Sequence, residues 1–232
     1  MNTTNKKAYV YKMRLIPANI LSIVILILVA MLAWVFKVEL WNNKMNYFIV
    51  FILIILYLML HELLHGIGYF LGGTKRKYIT YGIELEKGIF YAMAYSKLTK
   101  KNILISLQMP FMVIGVITYI IGVIFNIPLL VLLSIVNISG ASMDLAMFIY
   151  FLRLPKDFTY TESGNPDEFV IISSKDLTKK KSIFLKIVEV KDYKEKDFEF
   201  KNLKKIKCTK TSIIVLILFL LLGLITTILK YV

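Results

Sequence analysis

Long apolar stretches without charge alternate along this chain with shorter lysine-rich ones. Residues 15–36 run for 22 positions without a charge, enough for a helix to cross about 30 Å of hydrocarbon. Residues 45–74 form a second such stretch, interrupted by His61, Glu62 and His65. Residues 102–152 carry Asp144 as their single charge, and Asn126-Ile127-Pro128 supplies a turn near the middle, so two spans are predicted there. Residues 211–229 give a fifth, shorter span. The pattern therefore predicts an α-helical polytopic membrane protein with about five transmembrane helices. Between the second and third spans, residues 78–95 are rich in Tyr, Ile and Phe around Glu86-Lys87-Gly88, which predicts a β-hairpin. Residues 153–210 hold two alternating apolar runs, 169–172 and 183–190, and predict a small β-rich segment. It is too short to bury a core of its own, so it is expected to lean on the hairpin or the membrane face. The expected organisation is a membrane core over 1–152, this segment over 153–210, and the fifth helix over 211–232.

Composition agrees with that class: 58% of the 232 residues are hydrophobic and mean hydropathy is +0.69, outside the range of soluble domains. Basic residues fix the expected orientation, because short cytoplasmic segments are enriched in Lys and Arg. With five spans, 26 of the 29 basic residues fall on one face, in the amino-terminal segment, the hairpin loop and residues 153–210. The opposite face keeps Lys37, Lys44 and Lys230, so the amino terminus is expected in the cytoplasm of a multi-pass cell-membrane protein. Trp34 and Trp41 flank the outer end of the first span, as interfacial aromatics do. The first span has no small-residue cleavage site after it and reads as a retained anchor. The net charge of +14 is accounted for by this bias. No nucleic-acid partner is expected, and the lipid bilayer is the partner the charge suits. Cys208, the single cysteine, allows no internal disulfide and predicts a reduced thiol.

The chemistry lies in the second span, where His61-Glu62-Leu63-Leu64-His65 stands. Residues four apart share a helix face, so His61 and His65 can offer two imidazole nitrogens to one Zn2+, with Glu62 beside them as base. Ionisable groups cost several kcal/mol each in lipid by most scales, about 2.5–3.5 on insertion scales, and usually serve a function there. A catalytic zinc takes three protein ligands, and Asp144 is the third by elimination: no other histidine exists, and Asp144 is the one further acid within a span. Depth supports this, since His65 precedes Lys75 by ten residues and Asp144 precedes Arg153 by nine on helices running the same way. Asn137, two turns before Asp144, faces the same interior. It is expected either to donate to a developing oxyanion or substrate backbone, or to make a hydrogen bond between helices. Ser139, Gly140, Ala141 and Ser142, like Gly66 and Gly68, are expected to let another helix approach closely.

The run His61 to Gly66, the segment Tyr91-Ala92-Met93-Ala94-Tyr95 before Leu98 and Pro110, and the stretch from Asn137 to Asp144 resemble a bacterial membrane family described as putative zincin peptidases. The resemblance covers about residues 57–155. More distantly the chain is similar to the site-2 proteases, which cut transmembrane segments with a HExxH helix and an aspartate from another helix. That likeness implies His61, His65 and Asp144 as metal ligands and Glu62 as base. Site-2 proteases place a proline and an Asp-Gly pair around the aspartate, whereas Leu145 follows Asp144 here. The metal assignment carries over and the substrate class does not. The expectation is a zinc-dependent peptidase acting on membrane proteins or peptides within or beside the bilayer, its hairpin folding back to offer an edge strand to an extended substrate. A non-catalytic membrane protein and a zinc transporter remain open beside it.

Overall fold

The computed structural model describes residues 6–40, 46–84, 89–165 and 167–194. The expected fifth span, the hairpin turn at 86–88, Trp41 and Cys208 lie outside the described residues. Helix α1 (Leu15–Val35) leaves most of its apolar side chains on the outside, Ile16, Ile20, Ile23 and Trp34 among them. Helix α2 (Tyr47–Leu71) starts at Asn46, whose side chain accepts the Phe48 and Ile49 N–H groups. It ends at Gly73, where φ is +93° and a side chain would be strained. Thr99 caps α3 (Lys100–Pro110), which continues through a π-helical stretch (Phe111–Ile117) into α4 (Thr118–Ile124). After the expected turn at Asn126-Ile127-Pro128 come α5 (Pro128–Gly140) and α6 (Ser142–Leu152). Among the described residues three helical runs, Leu15–Val35, Tyr47–Leu71 and Lys100–Ile124, are long and apolar enough to cross a membrane. The pair α5 and α6 is so only when taken together, and a bend of 49° makes it either a broken span or a re-entrant loop.

Strands gather at one end of the helices, beside the start of α1, the end of α2, the start of α3 and the end of α6. The expected hairpin is β2 (Ile79–Glu84) paired antiparallel with β3 (Ile89–Ala94). A second sheet combines β1 (Lys7–Met13), β4 (Leu98–Thr99), β5 (Thr159–Glu162), β6 (Glu168–Ser173) and β7 (Leu185–Asp192) in the order β4-β5-β6-β1-β7. The cap expected from residues 153–210 thus takes one interior strand, β1, from the amino-terminal segment, and a short edge strand, β4, from the residues before α3. Strand β1 pairs with both β6 and β7, opposing Tyr11 to Phe169 and Tyr9 to Ile171. One face of the sheet buries Tyr9, Tyr11, Phe169 and Ile171 against Ile103, Leu107, Tyr150 and Phe151 of the helices. Tyr150 donates to the Lys180 carbonyl at 2.8 Å and accepts from Tyr11 at 3.0 Å, tying strand, helix and loop together. Lys100 Nζ satisfies the Leu152 and Leu154 carbonyls at the end of α6.

Candidate metal centre

His61 and His65 stand one turn apart on the buried face of α2, and Asp144 lies in the first turn of α6. Their facing atoms form a nearly equilateral triangle. His61 Nε2 and His65 Nε2 are 3.1 Å apart, and Asp144 Oδ2 is 3.2 Å from the first and 3.3 Å from the second. The helix break at Ala141 turns the chain so that Asn137 before it and Asp144 after it both reach His61.

The other ring nitrogens settle which proton is where. His65 Nδ1 lies 2.9 Å from the Ser106 carbonyl oxygen, which can only accept, so Nδ1 carries the proton. His61 Nδ1 lies 2.8 Å from Asn137 Oδ1, while Asn137 Nδ2 donates to the Pro110 carbonyl at 3.1 Å. That donation orients the amide, so His61 Nδ1 is also the donor. Neutral rings held this way turn two Nε2 lone pairs and a carboxylate oxygen toward one point. Three acceptors so close together need a positive charge among them, a metal ion or a proton. A tetrahedral zinc with nitrogen and oxygen ligands at about 2.0–2.1 Å calls for ligand–ligand edges of about 3.3 Å. The three observed edges fit that ion, and the tautomer pattern fits it too.

Helix α3 supplies the support for both rings. Pro110 has no N–H to give to the carbonyl four residues earlier, which is that of Ser106, and His65 takes the place of the missing donor. Ser106 Oγ donates back to the His65 carbonyl at 2.9 Å, closing a two-way clasp between α2 and α3. Gly68 permits the approach, because a Cβ there would sit 2.5 Å from Ser106 Cα. Gly66 makes room for the Tyr81 hydroxyl of the hairpin. The close approach of another helix expected of both glycines is present at Gly68, whereas at Gly66 the neighbour is a strand side chain. Of the four small residues near Asp144, Ser142 donates to the Ala18 carbonyl of α1 at 3.3 Å, and Gly140 borders open space. Sequence reasoning missed Ser106, since it acts through its backbone; its trace in the sequence is Pro110, four residues on.

A cavity of about 460 Å³ opens onto the triangle, lined by the start of α1, by α2 and α6, and by Phe90 to Met93 of β3. Glu62 lines it next to the histidines and receives the Ala92 backbone N–H. The direction of that N–H follows from the ladder. Tyr95 N–H bonds the Tyr78 carbonyl, so alternate residues 93 and 91 face β2, while 94, 92 and 90 face outward. The edge of β3 that faces away from β2 is therefore turned toward the cavity. Farther along, Glu162 of β5 lines the same cavity. It is 6% exposed and accepts from Tyr160 Oη at 3.0 Å, from Tyr69 Oη at 3.5 Å and from the Ala94 N–H. Burial pushes its carboxyl up to about 7. Nothing in the sequence reading singled out Glu162.

His61, His65, Asp144, Glu62 and Asn137 thus meet around one cavity, with Asn137 Oδ1 on a histidine and its amide between α5 and α3. No curated protein and no solved structure matches the chain. Residues 53–159 match the family model described as putative zincin peptidase, a stretch that includes α2, the hairpin, α3 and both halves of the bent pair. Residues 53–159, the part of the chain that carries His61, His65 and Asp144, are thus similar to the putative zincin peptidase family.

Proposed function

We propose that this protein is a zinc-dependent peptidase that hydrolyses peptide bonds of membrane proteins or peptides, within or just beside the bilayer. The observation that carries the reading is the triangle of His61 Nε2, His65 Nε2 and Asp144 Oδ2, with Glu62 and the outer edge of β3 on the same cavity. His61, His65 and Asp144 would hold the ion, and zinc when bound lowers the pKa of a water and polarises a carbonyl. Glu62 accepts the proton of the attacking water at a carboxylate oxygen and returns it to the leaving amine. Asn137 acts as a positioning residue, because both ends of its amide are engaged by protein groups. The β3 edge takes the substrate backbone in extended form, a substrate carbonyl replacing the Glu62 carboxylate at the Ala92 N–H. That exchange leaves Glu62 free to turn to the water.

The membrane assignment rests on α1, α2, the run from α3 to α4, and the bent pair as spans, with the sheets on the cytoplasmic side where the basic residues gather. Because the histidines and Asp144 belong to spans, the substrates that reach them are membrane segments and their flanks. Zinc content and cleavage of a model membrane peptide by the parent, Glu62→Gln, His61→Ala and Asp144→Ala proteins test the reading. Glu62→Gln is expected to keep zinc and lose cleavage by a factor on the order of 100 or more, and Asp144→Ala to lose zinc. Cleavage retained in Glu62→Gln would refute the base. Zinc bound without cleavage by the parent of any membrane peptide would favour the non-catalytic reading.

A further inference from the structure

Among the described residues four acids line the cavity, Glu62, Asp144, Glu162 and Asp167, and no Lys or Arg does, in a chain whose net charge is +14. Three of the four have a cationic partner or a part in the proposed chemistry. Asp144 belongs to the triangle, Glu62 to the proposed proton transfer, and Asp167 pairs with Lys12 at 3.5 Å. Glu162 differs. It is 94% buried, yet all the groups that hold it are neutral: two tyrosine hydroxyls and one amide. Among the described residues it forms no ion pair. A carboxyl so placed is pushed up to about 7 by burial, a cost that a cation beside it would relieve.

Its position along the cleft is equally defined. Glu162 occupies the Ala94 N–H, two residues along β3 from the Ala92 N–H that faces Glu62. Outward-facing groups two residues apart are spaced by about 6.6 Å along a strand. Tyr69, which also fastens Glu162, is four residues and so about 6 Å beyond His65 along α2. Glu162 therefore closes the edge to a further backbone carbonyl, roughly one dipeptide repeat from the base, and offers a carboxylate there instead.

We propose that Glu162, clamped by Tyr69 and Tyr160 over the Ala94 N–H, is a specificity-determining residue that takes a cationic group of the bound peptide. The guest is a Lys or Arg side chain on the cytoplasmic flank of a membrane segment, where such residues concentrate. The inference rests on the peptidase reading for its substrate, and its test is chosen to fail separately.

The test uses the full-length protein, zinc-loaded in lipid nanodiscs and carrying Glu62→Gln so that peptides are bound and not consumed. The probes are fluorescent peptides with one apolar helical span and a flank in which a single Lys is moved through successive positions. Matched peptides carry Gln at the same place. At one position the Lys peptide is expected to bind about tenfold more tightly than its Gln partner, the range of a charge-assisted hydrogen bond. Adding Glu162→Gln is expected to bring the two within about twofold while leaving the Gln peptide unchanged. Equal binding of Lys and Gln peptides at every position overturns the proposal, as does a preference that survives Glu162→Gln with zinc content intact. If Glu162→Gln does not fold, Glu162→Asp draws the charge back by one methylene. A several-fold loss of preference then supports the proposal, and an unaltered one overturns it. Cleavage by the protein with Glu62 restored is scored apart. Cleavage without a Lys preference removes the subsite and leaves the peptidase; a Lys preference without cleavage does the reverse. Binding of no peptide overturns both.

Discussion

Asn137 shows how one amide fixes a candidate ligand that it does not replace. Its Nδ2 donates to Pro110 and its Oδ1 accepts from His61, so the ring cannot rotate without losing a buried hydrogen bond. Substituting Asn137→Ala is expected to weaken zinc binding by about 10- to 100-fold with the fold retained, measured by competition with a chelator. Glu162 gives a pH dependence. Its carboxyl rises from the ordinary 4.5 to about 7 in the folded protein. Between those values the folded state binds the extra proton, so the contribution of Glu162 is most favourable below about 4.5 and declines as pH rises through 7. The decline is at most about 3 kcal/mol. Unfolding midpoints of the parent and Glu162→Gln between pH 4.5 and 8 should diverge in that sense; parallel curves would show that Glu162 does not titrate there. Residues of this kind differ in legibility. His61, His65 and Asp144 were readable because charges and histidines are scarce in apolar spans. Glu162 was not, because it is one acid among many in a polar segment, and its burial comes from Tyr69, ninety-three residues away.

Helix α3 does more than cross beside α2, since it holds both histidine rings through Ser106 and Pro110. Replacing Pro110→Ala supplies an N–H that competes with His65 for the Ser106 carbonyl, and is expected to lower zinc affinity several-fold while helix content is kept. Gly68→Ala acts on the same contact by bulk. Its methyl meets Ser106 Cα, so α3 must shift, at a cost of about 1–3 kcal/mol and with loss of zinc, read by thermal unfolding and metal analysis. The helices themselves were legible from uncharged length, and the hairpin from its aromatic and β-branched composition. The break between α5 and α6 was not, since Gly140-Ala141-Ser142 contains no residue that must end a helix. Strand β1 escaped notice for another reason. Ala8, Val10, Tyr9 and Tyr11 are all buried, two on each face of the sheet, so the apolar run shows no alternation.

At the scale of the molecule, the two sheets stand at the end of the helices where the metal cavity opens, and the cavity wall is shared between helix and strand. Deleting residues 1–13 removes an interior strand of the five-stranded sheet and leaves β6 and β7 without their common partner. Amide exchange in β6 and β7 is expected to accelerate strongly, while zinc stays bound through α2 and α6; loss of zinc in the truncated protein would show that the sheet also holds the triangle. The general placement of polar segments on one side was legible from the basic residues. Their union into one sheet was not, because pairing between residues 7 and 192 leaves no local mark.

That pairing also sets an order in time. During synthesis β1 emerges first and has no neighbours until residues 168–192 have followed, more than 150 positions later. The triangle of ligands is complete once α6 exists, but the wall carrying Glu162 can be seated only when nearly the whole described chain has been made. A nascent chain would thus complete its candidate metal ligands before it owns a finished cleft.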